Sequence, residues 1–191
     1  MSIEYHFPLP FFRRKVEGPG LEALQDELWN ACNQSSFDHI PGWNKGTHKL
    51  SDNAFGDCVI KKYNCIRFMK HLDFCLRHYL ETNPLPDYTI TSSWFTKTVK
   101  HEHAHLHDHG PSDVSGVYYL QTNGEDGNLH FNSPIHFLLA RNYVIGGQEG
   151  GLEVQPEEGL LFLWPSFLLH GTAENRTDSE RISLSFNIKI H

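Results

Sequence analysis

The sequence predicts a mainly β domain, a sandwich or barrel of short strands with helices packed on the outside of one sheet. Three observations carry this. From about Tyr88 onward the chain falls into short runs of period two or of continuous apolar character, the patterns of half-buried and fully buried strands. Gly124, Gly127, Gly146, Gly147, Gly150, Gly151 and Gly159 separate those runs. No helical stripe lies between them, so the alternation expected of a parallel α/β sheet is missing.

The elements follow in order. "GPGLEALQDELWNACNQ" places Leu21, Leu24, Leu28, Trp29 and Cys32 at near-helical spacing behind an opening that suits a helix start. "NCIRFMKHLDFCLRHYLETN" predicts a second helix with Ile66, Met69, Leu72, Leu76 and Tyr79 as its stripe. Both stripes read as core. Between them "SFDHIPGWNKGTHKLSDNAFGD" has the Gly, Pro, Asn and Asp density of a loop, with His39 and His48 as loop polar groups. Strands are predicted at "YTITSSWFTKTVKH", "SGVYYLQT", "GNLHFNS", "FLLARNYVI", "GLEVQP", "GLLFLWPS" and "RISLSFNIKI".

Composition bounds the function. The 191 residues suit one domain, 1–191, with a helical part to about residue 87 and a β part over about 88–191. Sixteen basic against twenty-three acidic residues, a formal charge of −7, argue against phosphate-backbone binding, so no nucleic-acid partner is expected. Cys32, Cys58, Cys65 and Cys75 form no Cys-x-x-Cys pair and the first residues contain no signal-peptide stretch. Free thiols in a cytoplasmic protein are expected. No run of eighteen apolar residues occurs, and no membrane partner is expected.

The chemistry-bearing feature is "VKHEHAHLHDHGPSDVSGVYYLQ", with histidines at 101, 103, 105, 107 and 109. In an extended strand this spacing projects all five imidazoles from one face. Imidazole suits iron, zinc, copper and nickel, whereas carboxylate-poor surroundings argue against calcium and magnesium. His170, at the strand end in "GLLFLWPSFLLHGTAEN", is a candidate distal ligand; alternatively it is a strand-end histidine held by a hydrogen bond. In "RISLSF", Arg181 and Ser183 share a strand face, and a guanidinium beside a hydroxyl suits one end of a dicarboxylate. A structural ion pair is the alternative for Arg181. By spacing alone His105 with His107 is as good a ligand pair as His107 with His109.

In this order the motifs resemble the iron(II)/2-oxoglutarate-dependent oxygenases, and more specifically a branch found in bacteria and their viruses. That branch carries His-x-His-Pro-Asn-Ser-x-x-Ser-Gly-Val-Tyr-Tyr, Gly-x-Leu-x-Phe, Phe-Pro-Ser-x-x-x-His-Gly and Arg-x-Ser-x-Ser-Phe-Asn. This chain supplies "HDHGPSDVSGVYY", "GNLHF", "WPSFLLHGT" and "RISLSFN", and its "FPLPFF" resembles the branch's first strand. The resemblance implies a double-stranded β-helix (a jelly roll, cupin-like) with the N-terminal helices outside. It implies His107, His109 and His170 as the catalytic Fe(II) ligands, and Arg181 with Ser183 on the distal carboxylate of 2-oxoglutarate. The implied reaction consumes O2 and 2-oxoglutarate, hydroxylates a substrate the resemblance does not name, and releases succinate and CO2.

The resemblance favours the 107/109 register, because Gly110 and Pro111 follow at once and the six residues from His109 to Ser115 match the branch. His101, His103 and His105 are then expected at the rim. Two departures stand out. The family's usual triad is two histidines and a carboxylate, yet here the second position is a histidine in either register, and Asp108 has the wrong parity unless a turn redirects it. "HGPSD" also replaces His-Pro-Asn-Ser. A three-histidine cupin-type dioxygenase without a keto acid, or a non-catalytic zinc or nickel module, are the other function classes. Of Tyr118 and Tyr119, one is expected to face the cavity; Trp94 and Trp164 are expected as core or cavity walls, Asn187 as structural support, and Asn132 and Ser133 near the substrate side. An exposed strand edge would permit a homodimer.

Overall fold

Among the described residues ten strands and three helices form in the order β1 (Phe12–Lys15), α1 (Pro19–Gln34), β2 (Phe37–His39), β3 (Lys49–Ser51), α2 (Val59–Lys62), α3 (Ile66–Tyr79), β4 (Tyr88–Thr98), β5 (Val114–Gln121), β6 (Leu129–Asn132), β7 (Gly151–Val154), β8 (Leu160–Pro165), β9 (His170–Thr172) and β10 (Arg181–Ile190). The structure, a computed structural model, describes residues 9–39, 47–51, 57–134 and 151–191. The predicted strand "FLLARNYVI" lies outside the described residues.

Seven strands make a major sheet in the order β1-β8-β5-β10-β4-β3-β2, and β7-β6-β9 make a minor one. All strand pairs are antiparallel, the arrangement of a jelly roll in which two sheets face each other. The alternation of side chains assigns each face of the major sheet its own cluster. On one face Phe95, Tyr118, Leu161, Leu163, Leu184 and Phe186 pack on Leu28, Phe68, Leu72 and Leu76 of α1 and α3. On the other, Val117, Tyr119, Leu160, Phe162 and Trp164 pack on Leu129, Phe131 and Val154 of the minor sheet.

This second face is organised in rows across the strands. Ser92, Asn187, Ser115 and Trp164 stand opposite one another, then Trp94, Ser185, Val117 and Phe162, then Thr96, Ser183 and Tyr119, and last Thr98 and Arg181. The face therefore runs from an aromatic and hydroxyl end to a cationic end.

Several expectations are corrected. The buried face of α3 is Phe68, Leu72, Cys75 and Leu76, while Ile66 is exposed. The helix is rotated from the predicted stripe because Phe68 meets Tyr118 and Phe186 edge to face at 5.9 and 5.6 Å. The segment expected as pure loop contributes β2 and β3, which extend the major sheet beyond β4. β1 starts at Phe12, so of the described residues 9–12 of the "FPLPFF" segment only the last is in the strand. β9 and the short α2 were not predicted; each is four residues or fewer, too short for periodicity to register.

The histidine run is not a strand presenting five imidazoles on one face. His101 has φ 70°, in a turn where the Glu102 carboxylate accepts the Val99 N–H at 2.9 Å. From there the run is stitched to residues 170–175 at irregular intervals: His101 N–H to Asn175 O, Asn175 N–H to Glu102 O, Thr172 N–H to Ala104 O, and a mutual pair between His107 and His170. Gly171 permits this approach, since a Cβ there would lie 2.8 Å from the Ala104 carbonyl oxygen.

Among the described residues the four cysteines are free thiols and no helix is long and apolar enough to cross a membrane. Phe68 is fully buried where the helices meet the sheet. Phe68→Ala should cost about 3–5 kcal/mol, measured by urea denaturation; a loss below about 1 kcal/mol would show that the helices are not part of the same packed core.

Candidate metal centre

His107 and His170 are joined by two backbone hydrogen bonds, N–H to O at 2.9 Å in each direction, which form an isolated antiparallel bridge at the edge of the minor sheet. This brings together ligands distant in sequence. His109 is positioned from the opposite sheet, its N–H donating to Ser166 O at 3.0 Å just beyond the end of β8. The three imidazoles lie with centroids 4.4 Å (His107–His170), 4.9 Å (His107–His109) and 5.1 Å (His109–His170) apart. Their ligand atoms all fall within 4.8 Å of one another. Among the described residues this is the one such group of three.

The donor chemistry of the group fits a transition metal. His107 Nδ1 is 2.7 Å from His105 O and His170 Nδ1 is 2.8 Å from Leu168 O. A carbonyl only accepts, so both Nδ1 atoms carry their proton and the lone pair resides on Nε2, the second-atom orientation usual for metal-ligating histidine. Burial keeps the rings neutral. It is the leading cause that holds His109 down at about 4 and His170 at about 3, and it lowers His107 as well. Neutral imidazole is the form that ligates.

Trp94 packs at 5.7 Å from the His109 ring and Trp164 at 4.9 Å from His170, with Phe131 5.7 Å from His170. Asp108 does not belong to the three-residue group. It is exposed and its Oδ1 accepts the Gly110 N–H at 3.0 Å, so its side chain closes the turn that follows the ligand pair. His105 lies apart from the group as well: its Nδ1 is 3.2 Å from His103 Nε2. His101 is at the surface with Glu174, 2.7 Å away.

The histidines open into a cavity of about 270 Å3. Arg181, only 2% exposed, lines it too. Its Nη1 donates to the carbonyls of Asp126 (3.0 Å) and Gly127 (2.5 Å), and its Nη2 to the hydroxyls of Thr98 and Thr172 (3.3 Å each). Among the described residues no carboxylate lies within ion-pair distance of this guanidinium. Burial lowers its pKa, yet arginine stays charged, and a buried cation is costly unless an anion joins it. The geometry thus presents an anion site facing a metal site within one cavity.

Ser183 is buried on the same face as Arg181, opposite Thr96 and Tyr119, although Ser185 and not Ser183 is among the cavity-lining residues. Tyr119 faces the cavity and Tyr118 the helix side. Asn187 lines the cavity, accepts from Ser115 Oγ at 2.8 Å and donates to Ser92 Oγ at 3.1 Å. Asn132 and Ser133 are not among the lining residues. The residues missed by sequence reading are His48, Thr98 and Thr172. His48 is buried, lines the cavity and donates Nδ1–H to His103 O at 3.1 Å; its isolation in a Gly- and Asn-rich stretch concealed β3, which begins at the next residue.

A jelly roll with three grouped histidines and a buried arginine lining one cavity offers places for a metal ion and for an anion. The comparisons agree. A family model described as "Putative 2OG-Fe(II) oxygenase" matches residues 92–187, half of the chain, and the chain belongs to that family. It is therefore an oxidoreductase whose cofactors are Fe(II) and 2-oxoglutarate, with O2 as co-reactant, and this selects among the three function classes left open by the motifs. No curated protein matches by sequence. Among solved structures the fold is similar to a Pseudomonas putida prolyl-4-hydroxylase (13% identity, 95% of this chain and 93% of that one, TM-score 0.59). It is also similar to HygX from Streptomyces hygroscopicus with nickel and 2-oxoglutarate bound (12%, 95% and 83%, 0.62). A third likeness is to a 2OG-Fe(II) oxygenase family oxidoreductase from Burkholderia pseudomallei (12%, 100% and 96%, 0.62).

Two outcomes follow. Because burial depresses the histidines, the folded protein keeps them neutral while the unfolded chain protonates near 6.5. Metal-free protein should lose stability as pH falls below about 6.5 toward 4, and metal affinity should change less than about threefold between pH 7 and 5.5. A thermal melt that is flat over this range, or affinity falling more than tenfold per pH unit, would contradict the neutral-histidine description. Gly127 has φ +106°, and a Cβ there would lie 2.3 Å from Ala173 O and 3.2 Å from Arg181 Nη1. Gly127→Ala should weaken 2-oxoglutarate binding at least about tenfold by shifting the arginine, with the metal affinity retained; equal 2-oxoglutarate affinity would show that the arginine is not held by this turn.

Proposed function

We propose that His107, His109 and His170 hold Fe(II), that Arg181 and Ser183 bind the distal carboxylate of 2-oxoglutarate, and that the protein hydroxylates a C–H bond of a substrate entering beside the two tryptophans. The observation that carries this reading is the buried guanidinium of Arg181, with no carboxylate among the described residues at ion-pair distance, lining the same cavity as three neutral imidazoles. When bound, the metal and the keto acid supply the oxidising chemistry, with decarboxylation to succinate and CO2. The chain's own residues bind, orient and shield.

Arg181 supplies charge and its fork geometry, fixed by the Asp126 and Gly127 carbonyls on Nη1, so that Nη2 is the half turned toward the hydroxyls of Thr98 and Thr172. Tyr119, in the row between the arginine and the histidines, offers its phenol to the cosubstrate. Burial raises its pKa to about 12, so it is a donor at neutral pH. Trp94, Trp164 and Phe131 exclude water around the ligands, which strengthens each polar contact inside. Three neutral imidazoles leave the metal's full charge uncompensated by the protein, so metal and 2-oxoglutarate should bind with strong mutual enhancement. The reading takes residues 1–191 as one catalytic domain, and the free thiols support a reducing, cytoplasmic setting.

His170→Ala should abolish Fe(II)-dependent succinate formation, and Arg181→Met should lower 2-oxoglutarate affinity by about a hundredfold or more. Succinate release and anaerobic binding read these out; oxygen consumption independent of 2-oxoglutarate would instead point to a three-histidine dioxygenase. Tyr119→Phe should raise the KM for 2-oxoglutarate about three- to tenfold with the metal affinity unchanged; an unchanged KM would remove Tyr119 from the cosubstrate.

A further inference from the structure

Trp164 stands where the related branch carries phenylalanine, so what this chain adds at that position is an indole N–H. The residue is 3% exposed, lines the cavity, and packs at 66° and 4.9 Å on the metal-side histidine His170 and at 71° and 5.2 Å on Phe131. Its Nε1 is buried and has no hydrogen-bond partner. Its polar neighbours are committed to each other: Ser115 Oγ is 2.8 Å from Ser166 Oγ and donates to Asn187 Oδ1, and Asn187 Nδ2 donates to Ser92 Oγ. A buried donor left unmade is costly and uncommon in folded proteins, and this one lies beside the ligand cluster.

The register says which part of a ligand would meet it. Trp164 stands in the row of Ser92, Asn187 and Ser115, and Arg181 at the opposite end of the same face, roughly 20 Å away along an extended strand. An arginine side chain and an extended keto acid would together span most of that interval. A 2-oxoglutarate whose distal carboxylate is on Arg181 therefore carries its C1 carboxylate, the metal-chelating end, toward Trp164.

We propose that Trp164 is a positioning residue whose indole N–H donates to the C1 carboxylate of 2-oxoglutarate and sets the orientation in which the keto acid chelates the metal. This rests on the metal centre proposed above. The ring and the N–H thus have separable roles: the ring packs on Phe131 and His170, and the N–H would meet the anion.

Trp164→Phe keeps a ring and removes the N–H. The probes are 2-oxoglutarate and pyruvate, which share the C1 carboxylate and keto group, with only the former having the distal carboxylate; binding is measured anaerobically on Mn(II)-loaded protein. The expected result is a fall of about tenfold in affinity for both ligands, an unchanged affinity for Mn(II), and a metal-free Tm equal to or above that of the parent, because an unsatisfied buried donor has been removed. Equal affinity for both ligands in parent and variant would overturn the proposal, as would weakening confined to 2-oxoglutarate, which would place the N–H at the distal end. A variant with lowered metal-free Tm and lost Mn(II) affinity would make Trp164 merely structural and overturn it too. A parent protein that binds Mn(II) but neither keto acid would instead overturn the functional reading on which it rests.

Discussion

The paired backbone hydrogen bonds between His107 and His170 are the constraint on which the site depends. They join a segment with no regular secondary structure to the end of a three-residue strand, and in doing so set two imidazoles 4.4 Å apart on one side of the cavity. The third, His109, comes from the opposite direction, tied to Ser166 beyond β8. A metal ligated by all three would cross-link the two sheets at their mouth. Metal binding and closure of the fold would thereby be coupled, since the backbone of each of these histidines is held by a partner that belongs to another element.

Electrostatics divides the cavity into two ends. The metal end is built from neutral groups, because burial denies the histidines their charge, whereas the far end keeps the permanent charge of Arg181 under a cover of carbonyls and hydroxyls. On the proposed reading a dianionic keto acid would meet both ends at once, with one carboxylate on the arginine and the other at the metal. With three neutral imidazoles and the arginine, a divalent metal and a dianionic keto acid would leave one positive charge in the site, while Asp108 is engaged in the turn at Gly110.

Much of this was legible in the sequence where the chain is long and periodic. β4, β5, β8 and β10 appear as clear runs, and the parity of Arg181, Ser183, Ser185 and Asn187 along β10 follows from the strand period alone. The motif order selected His107, His109 and His170, which the fold brings together. What was not legible depended on tertiary contact. Five alternating histidines look like one strand face, but hydrogen bonds to residues 170–175 pull the run into turns, so His101, His103 and His105 leave the cluster. His48 looked like loop polarity because β3 is three residues long and pairs only within the assembled sheet. The rotation of α3 toward Phe68 was equally hidden, because both Ile66 and Phe68 satisfy a helical stripe and only the sheet decides between them.

The central claim is that three imidazoles and no protein carboxylate hold the iron, in the register 107, 109 and 170. X-ray absorption on anaerobic Fe(II)-loaded protein, compared between parent and His105→Ala, tests it most directly. The account predicts three histidine scatterers in the first coordination sphere of both proteins. Two histidines, or a count that drops by one in His105→Ala, would contradict it.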